Sequence, residues 1–236
     1  MLMNTRQGTF FGLGLLLILI LFLGTGCGDK DTPSSGGSEN DAAETSGANG
    51  ENENGSSDSE VIPPVASNGP PRVIVTTSHG AFTLELDPTT APLTTRNFLD
   101  YVRAGFYDGV LIDQVEAGEV VYGGTFNQDG EEKLTSRAVP NEAGNGASNV
   151  RGTVAMFRAP TRKDSGTSRF FINVSDHIEL DHDGETHEAF GYCAFGRVIQ
   201  GMDVVDAIAQ VEAEEKDGAE GWPVIPIVIE TMRIQP

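Results

Sequence analysis

Two short apolar runs in the second half of the chain constrain its fold most strongly. They are residues 152–156 (GTVAM) and 168–173 (SRFFIN), with a loop rich in Pro, Lys, Asp and Gly between them. Both runs predict β-strands, because they are short, rich in β-branched and aromatic residues, and bounded by turn-forming residues. Strand side chains alternate between two faces, so Phe170 and Phe171 are expected to point in opposite directions. One ring can then enter a core while the other lines a surface hollow, although composition alone favours two core residues.

Composition excludes several classes of function. The chain has 236 residues and a formal net charge of −20, and this length allows one domain with additional segments or two small domains. Binding to nucleic acid or to an anionic membrane surface needs clusters of Lys and Arg, and the sequence shows none. The two cysteines, Cys27 and Cys193, are too few for a disulfide framework.

The first 27 residues have the features of an export signal. Arg6 precedes an apolar run over residues 10–23, which is shorter than the roughly 20 residues that span a membrane. The segment ends in LGTGC, which resembles a bacterial lipoprotein signal, although Gly24 stands where such signals usually have an aliphatic residue. The resemblance implies that Cys27 is lipidated, and that the protein is an exported, membrane-anchored lipoprotein on the periplasmic side of a bacterial cell envelope. The alternative is an uncleaved anchor helix, which gives a similar location.

Residues 28–70 are predicted to form a disordered tether. They are rich in Gly, Ser, Asn, Asp and Glu, and residues 28–60 contain nine acidic side chains against the single cation Lys30. Such a segment buries too little apolar surface to offset the entropy lost on ordering, and its like charges extend it. We therefore expect a flexible spacer between the membrane and a folded domain over residues 71–236.

Hydrophobic periodicity and turn residues predict the order of elements in that domain. Strands alternate apolar and polar residues, whereas the two helices have apolar residues at helical spacing. In chain order we expect strands at 72–77 and 81–86, a helix from Pro92 to before Gly105, two strands within 110–124 with a turn at 117–118, the strands at 152–156 and 168–173, a strand at 191–198, a helix at 201–208 and a strand at 224–234.

Several of these segments together resemble the cyclophilins, the barrel-shaped peptidyl-prolyl isomerases. The resemblance rests on RGTVAM and S-x-FFIN, on APLTTRNF followed by FY, on NEAGNG and on GYCAFGRV, and it covers residues 72–234. It implies a mostly β fold, a closed eight-stranded antiparallel barrel capped by two α-helices.

The resemblance also implies an activity. Rotation about an Xaa-Pro bond faces a barrier of roughly 20 kcal/mol from amide resonance. A catalyst must favour the twisted state, in which the prolyl nitrogen accepts a hydrogen bond. Cyclophilins grip the proline ring in an apolar pocket and supply an arginine donor held by a glutamine, without covalent chemistry or a cofactor.

Transferred to this sequence, the family's functional positions mostly carry different residues. The arginine position is Gln114, the only candidate catalytic residue, and the preceding histidine position is Asp113. The substrate-binding positions are Glu119, Val120, Tyr122, Met156, Phe157, Arg158, Arg169, Phe171, Glu179, Leu180 and Tyr192. The barrel is therefore expected to be retained with a rewritten catalytic surface.

Two functional hypotheses follow from these substitutions. The first is a peptidyl-prolyl isomerase of weak activity that acts on exported proteins, because a neutral Gln114 is a weaker donor than an ionised side chain. The second is an inactive cyclophilin-like module that binds a peptide or a protein partner. In both cases we expect proline-containing polypeptides as ligands, a monomer, and neither a cofactor nor a metal.

Two further expectations concern clusters of polar residues. Asp181, His182, Asp183 and His187 are of types that suit a metal, but a solvated polar loop is the favoured interpretation. Charges in a half-buried pocket need partners, so we expect an ion pair across the pocket, with Arg169 and Glu119 as the first choice.

Cys27→Ser tests the predicted membrane attachment point. Because the lipid would be attached to this thiol, the substitution is expected to release or mislocalise the protein, or to block its processing. Membrane fractionation and the mass of the N-terminal peptide measure the effect, with Cys193→Ser as the control. Unchanged membrane retention with an intact N-terminus would support the anchor helix instead.

Overall fold

The computed structural model describes residues 69–216 and 218–236. The predicted export signal at 1–27 and residues 28–68 of the predicted tether lie outside this part of the chain. No helix in the described ranges is both long and apolar enough to cross a membrane.

Ten strands and two α-helices make up the described fold. The strands are β1 Arg72–Thr77, β2 Gly80–Leu86, β3 Val110–Glu116, β4 Val120–Asn127, β5 Thr153–Met156, β6 Phe170–Asn173, β7 Ala194–Gln200, β8 Ala213–Lys216, β9 Ala219–Pro223 and β10 Ile227–Ile234, and the helices are α1 Pro92–Arg103 and α2 Met202–Ile208.

Eight of these strands close into one antiparallel barrel, in the order β1-β10-β3-β4-β6-β5-β7-β2. The predicted fold class, a mostly β protein with a closed eight-stranded barrel and two helices, is confirmed. The remaining strands, β8 and β9, form a separate hairpin that the sequence did not reveal. All four residues of β8 are exposed, so the strand lacks the apolar alternation that predicts a half-buried strand.

The barrel core is formed by the inward-facing residues of all eight barrel strands and by residues of α1 that pack against them. Phe98 of α1 is fully buried, and its ring centroid lies 5.2 Å from that of Tyr107, 5.2 Å from that of Phe195 and 5.7 Å from that of Phe170. The Glu142 carboxylate accepts hydrogen bonds from the backbone N–H groups of Leu93 and Thr94 at 3.1 and 2.8 Å. A negative charge at a helix N-terminus is stabilising, so Glu142 fixes the start of α1 against the NEAGNG segment.

Phe170 and Phe171 do lie on opposite faces of β6, as the alternation predicts. Phe170 belongs to the barrel core, whereas Phe171 belongs to a second apolar cluster with Val120, Ala155 and Ala194. Phe171 is only 1% exposed, so its ring does not line an open surface hollow. Other side chains cover it, as described below.

A close approach of β4 to the start of β6 requires glycine at position 124. Gly124 has φ +109°, and a Cβ there would lie 2.5 Å from the carbonyl oxygen of Ser168. The Ser168 hydroxyl donates to the Gly124 carbonyl oxygen at 2.8 Å, and the Tyr107 hydroxyl donates to the Ser168 carbonyl oxygen at 2.8 Å. This contact fixes the start of β6 and therefore the backbone position of Arg169.

Gly124→Ala is therefore expected to destabilise the barrel more than Gly146→Ala. Both positions have positive φ, but a Cβ at Gly146 would meet nothing within 4 Å. Backbone strain alone should reduce the free energy of unfolding by about 1 kcal/mol for Gly146→Ala, and the added overlap should bring the loss to about 3 kcal/mol for Gly124→Ala. Denaturant unfolding followed by the fluorescence of Trp222 measures both. Equal losses for the two variants would contradict the close approach.

Candidate functional site

Four aromatic rings on the outer face of the barrel form the centre of the candidate site. We call Tyr122, Phe157, Phe171 and Tyr192 the aromatic quartet. Tyr122 of β4 is paired with Phe171 of β6, so both rings project from adjacent strands on the same side. Neighbouring ring centroids are 6.0 Å apart for Tyr122 and Phe157, 6.2 Å for Phe157 and Tyr192, 5.6 Å for Tyr192 and Phe171, and 5.6 Å for Phe171 and Tyr122.

Small and branched residues form the base beneath these rings. Val120, Ala155 and Ala194 are buried there with Phe171, and Leu180 is half-buried at the edge of the same cluster. The other three rings of the quartet are half-buried and cover Phe171. The predicted binding residues Val120, Leu180 and the quartet are thus brought together, whereas Met156 packs into the barrel core and not into this outer cluster.

The predicted pairing of Arg169 with Glu119 is wrong. Arg169 Nη2 donates to Asp113 Oδ1 at 2.7 Å and to the amide oxygen of Gln114 at 3.0 Å. The Asp113 side chain is fully buried, and the Arg169 side chain is 22% exposed. A buried carboxylate requires a counter-charge more strongly than an exposed one, and Glu119 is exposed.

A β-bulge explains why two consecutive residues of β3 reach the same guanidinium. In a regular strand, Asp113 and Gln114 would lie on opposite faces. The pairing between β3 and β4 instead runs from Ile112 with Gly123 directly to Gln114 with Tyr122, so that Asp113 is the extra residue. A bulge redirects side chains locally, and here it places both polar side chains against Arg169.

The Arg169 guanidinium also lies against the aromatic quartet. Its Cζ atom is 4.6 Å from the centroid of Phe157 and 5.1 Å from that of Tyr122. A guanidinium over an aromatic face is attracted by the negative face of the ring. Gln114, Asp113, Arg169 and the quartet therefore form one continuous site.

The second arginine of the site, Arg158, is more deeply buried than Arg169. It is 3% exposed, and its Cζ atom lies 4.7 Å from the centroid of Tyr192. Its guanidinium donates to the carbonyl oxygens of Gly191 at 2.7 Å, Pro160 at 3.0 Å, Ala159 at 3.1 Å and Glu188 at 3.3 Å. Burial lowers the pKa of this guanidinium, and Tyr192 and Glu188 offset the effect of burial only in part. Arg158 thus ties two loops together.

The two predicted acidic residues, Glu119 and Glu179, are bridged by a histidine. His177 Nδ1 lies 2.8 Å from Glu179 Oε1, and His177 Nε2 lies 3.4 Å from Glu119 Oε2. The Ser175 hydroxyl also donates to Glu119. Burial acts to raise the pKa of Glu179, but the hydrogen bond from His177, a backbone hydrogen bond and the charge of His177 together outweigh it, and the pKa is lowered. The transfer of functional positions did not include His177 or Ser175, because neither occupies a position of the family's pocket.

A carboxylate at the end of β3, that of Glu116, contacts the quartet. The Tyr122 hydroxyl donates to Glu116 Oε1 at 3.0 Å. Burial, with a contribution from Glu116, raises the pKa of Tyr122, and burial also raises the pKa of Tyr192. Both phenols are therefore neutral at physiological pH and can act as hydrogen-bond donors.

Two of the residues considered as metal ligands, Asp181 and His182, form hydrogen bonds with neighbouring loop residues. Asp181 accepts hydrogen bonds from the Ser148 hydroxyl at 2.5 Å and from the Asn149 backbone N–H at 2.7 Å, and His182 Nδ1 lies 3.0 Å from the carbonyl oxygen of Phe190. Within residues 69–216 and 218–236, no three His, Cys, Asp or Glu side chains are grouped so that they could hold a metal ion. Cys193 is buried, and burial raises the pKa of its thiol to about 11.

The closed barrel and its outer cluster define a cyclophilin-like protein. The model of the family described as cyclophilin type peptidyl-prolyl cis-trans isomerase/CLD matches residues 72–234, and the chain belongs to this family.

Curated relatives and solved structures agree with this assignment. The chain is 44% identical over 172 residues to peptidyl-prolyl cis-trans isomerase A of Dickeya dadantii (strain 3937), covering 73% of this chain and 88% of the relative. It is 44% identical over 162 residues to peptidyl-prolyl cis-trans isomerase cyp18 of Streptomyces antibioticus, covering 69% and 97%. A cyclophilin-type isomerase structure from Cryptosporidium parvum has a TM-score of 0.58 at 19% identity, covers 70% of this chain and 98% of that chain, and supports the fold.

Arg169→Gln should test whether Asp113 depends on its counter-ion. The single variant leaves a fully buried carboxylate unpaired, and we expect a loss of about 3 kcal/mol in the free energy of unfolding. Adding Asp113→Asn removes the charge, so the double variant should recover most of that loss. Denaturant unfolding of the wild type, both single variants and the double variant gives the coupling energy. Additive losses would contradict the pairing.

Proposed function

We propose that this protein is a peptidyl-prolyl cis-trans isomerase that acts on exported polypeptides in the cell envelope, with weak turnover. The observation that carries the proposal is the aromatic quartet with Arg169 beside it. This arrangement supplies apolar rings for a proline and a cationic donor next to them. Relatives at 39–44% identity bear the name peptidyl-prolyl cis-trans isomerase, which supports the reaction class.

Weak turnover follows from two features of the site. The family's donor position, Gln114, is neutral and therefore a weak donor, and the cationic donor Arg169 already uses Nη2 for Asp113 and Gln114. In addition, Phe171 is covered by the rest of the quartet, so a proline ring meets half-buried rim rings and not the floor. A shallower contact gives less binding energy with which to favour the twisted amide.

The location is part of the proposal and rests on the sequence. A lipidated Cys27 would anchor the chain, and an acidic tether over residues 28–70 would hold the barrel away from the membrane surface. The ligands would be proline-containing polypeptides on the periplasmic side, bound by a monomer. A C. parvum cyclophilin-type isomerase with 21% identity was solved in the presence of the dipeptide Ala-Pro, which is consistent with this class of ligand.

The second candidate function is an inactive binding module. The same coverage of Phe171 favours it, because a closed floor removes the deep pocket and leaves an aromatic surface. Such a surface would hold an extended peptide without promoting rotation about the Xaa-Pro bond. Turnover and binding therefore have to be measured together.

A turnover assay on a peptide with one Xaa-Pro bond separates the two candidates. We expect cis–trans exchange by the full-length protein to be faster than the uncatalysed rate, yet well below that of the D. dadantii relative. Tyr192→Ala should raise kcat/KM several-fold, because it removes a ring that covers Phe171 at a centroid distance of 5.6 Å. Leu134→Ala, which changes a side chain that is 98% exposed, is the control. Peptide binding without any exchange in the wild type would establish the binding module.

A further inference from the structure

Catalysis requires an N–H or O–H group that is not already hydrogen-bonded to another group of the protein. The prolyl nitrogen accepts a hydrogen bond only while the amide is twisted, so a donor aimed at it acts on the transition state and not on the planar ground state. An ionised donor gives about twice the strength of a neutral one. Among the donors of the site, the two arginines are ionised, whereas Gln114 and the phenols of Tyr122 and Tyr192 are neutral.

Arg158 and Gln114 already form hydrogen bonds within the protein. Arg158 is 3% exposed and makes four hydrogen bonds to backbone carbonyl oxygens, so a substrate cannot reach its guanidinium without breaking them. Gln114 is neutral, and its amide oxygen is bound to Arg169.

Arg169 differs from both. Its Nη2 atom makes both hydrogen bonds, to Asp113 and Gln114, and its Nη1 atom makes none within the described part of the chain. Its side chain is 22% exposed, whereas that of Phe171 is almost fully covered. The guanidinium also lies against Phe157 and Tyr122, the rings that a proline would meet first. A charged donor with an unengaged Nη1 thus lies against the apolar rim.

We propose that Arg169 is the catalytic hydrogen-bond donor of this protein and that Asp113 and Gln114 are its positioning residues. The inference rests on the proposed isomerase function. The Asp113 carboxylate and the Gln114 amide oxygen fix Nη2, and the rings of Phe157 and Tyr122 fix the plane of the guanidinium. Nη1 then donates to the prolyl nitrogen as the amide twists, and the hydrogen bond is released when the planar amide re-forms. No bond is made or broken apart from this hydrogen bond.

The double variant Asp113→Asn with Arg169→Gln tests this role without leaving a buried charge unpaired. Full-length wild type and variant are compared for kcat/KM in cis–trans exchange and for the Kd of the same proline peptide. We expect kcat/KM to fall by about 10- to 100-fold, the range set by loss of a charged hydrogen bond, while Kd stays within about twofold. The matched control is Asp108→Asn with Arg233→Gln. It removes both charges of another ion pair, in which Arg233 Nη2 of β10 lies 2.8 Å from Oδ2 of Asp108, just before β3.

Each outcome is decisive. An unchanged kcat/KM in the double variant would overturn the donor role of Arg169 and leave the isomerase function standing. A parallel loss of peptide binding would overturn it in favour of a role in binding. A wild type that binds the peptide without turnover would instead refute the proposed function, and the inference with it.

A second variant covers the case in which the double variant does not fold. Arg169→Lys keeps the positive charge beside Asp113, but a single ammonium cannot hold both polar partners and still present a fixed planar edge. We expect the folded variant to lose at least tenfold in kcat/KM at unchanged Kd. Full turnover by Arg169→Lys would overturn the requirement for the guanidinium.

Discussion

The alternation of side chains along β6 is the constraint on which both the fold and the site depend. A closed barrel has one interior, so a strand that places Phe170 inward must place Phe171 outward. Burial of a phenylalanine side chain is worth about 1.5–3 kcal/mol, and the outward ring gains this only if other side chains cover it. Tyr122 and Tyr192 do so, each with a centroid 5.6 Å from that of Phe171. The aromatic site is thus the outer counterpart of the barrel core.

A second constraint comes from the charge that β3 buries. The bulge at Asp113 directs its carboxylate into the protein interior, away from solvent. A buried carboxylate is tolerated only beside a counter-charge. Arg169 supplies this charge from the residue before β6, and the close approach at Gly124 holds the backbone of Ser168 and Arg169 against β4, the strand between β6 and β3. The bulge at Asp113, Gly124 and Arg169 therefore depend on one another, and a substitution at one of them is expected to affect the packing of the other two.

The elements of the fold could be predicted because their signals are local. The β1–β2 hairpin, the limits of α1 and the opposite faces of Phe170 and Phe171 all follow from periodicity and turn residues. The β8–β9 hairpin was missed because all of β8 is exposed and β9, with the sequence AEGWP, shows no regular alternation of apolar and polar residues. The partner of Arg169 was missed because a bulge is a property of strand pairing and leaves no periodic signal. The coverage of Phe171 depends on the sizes of three residues that are far apart in sequence, which no single stretch of the chain shows.

Arg158 and Arg169 show why residue type alone does not define this site. Both guanidinium groups lie within 5 Å of the centroid of an aromatic ring of the quartet. Their acceptors differ, since Arg158 is bound by backbone carbonyl oxygens through Nε, Nη1 and Nη2, whereas Arg169 is held through Nη2 alone. A guanidinium has five N–H donors, so the number already engaged determines what remains for a ligand. By this measure Arg158 stabilises the loops around the site, whereas Arg169 keeps Nη1 available for a hydrogen bond to a ligand.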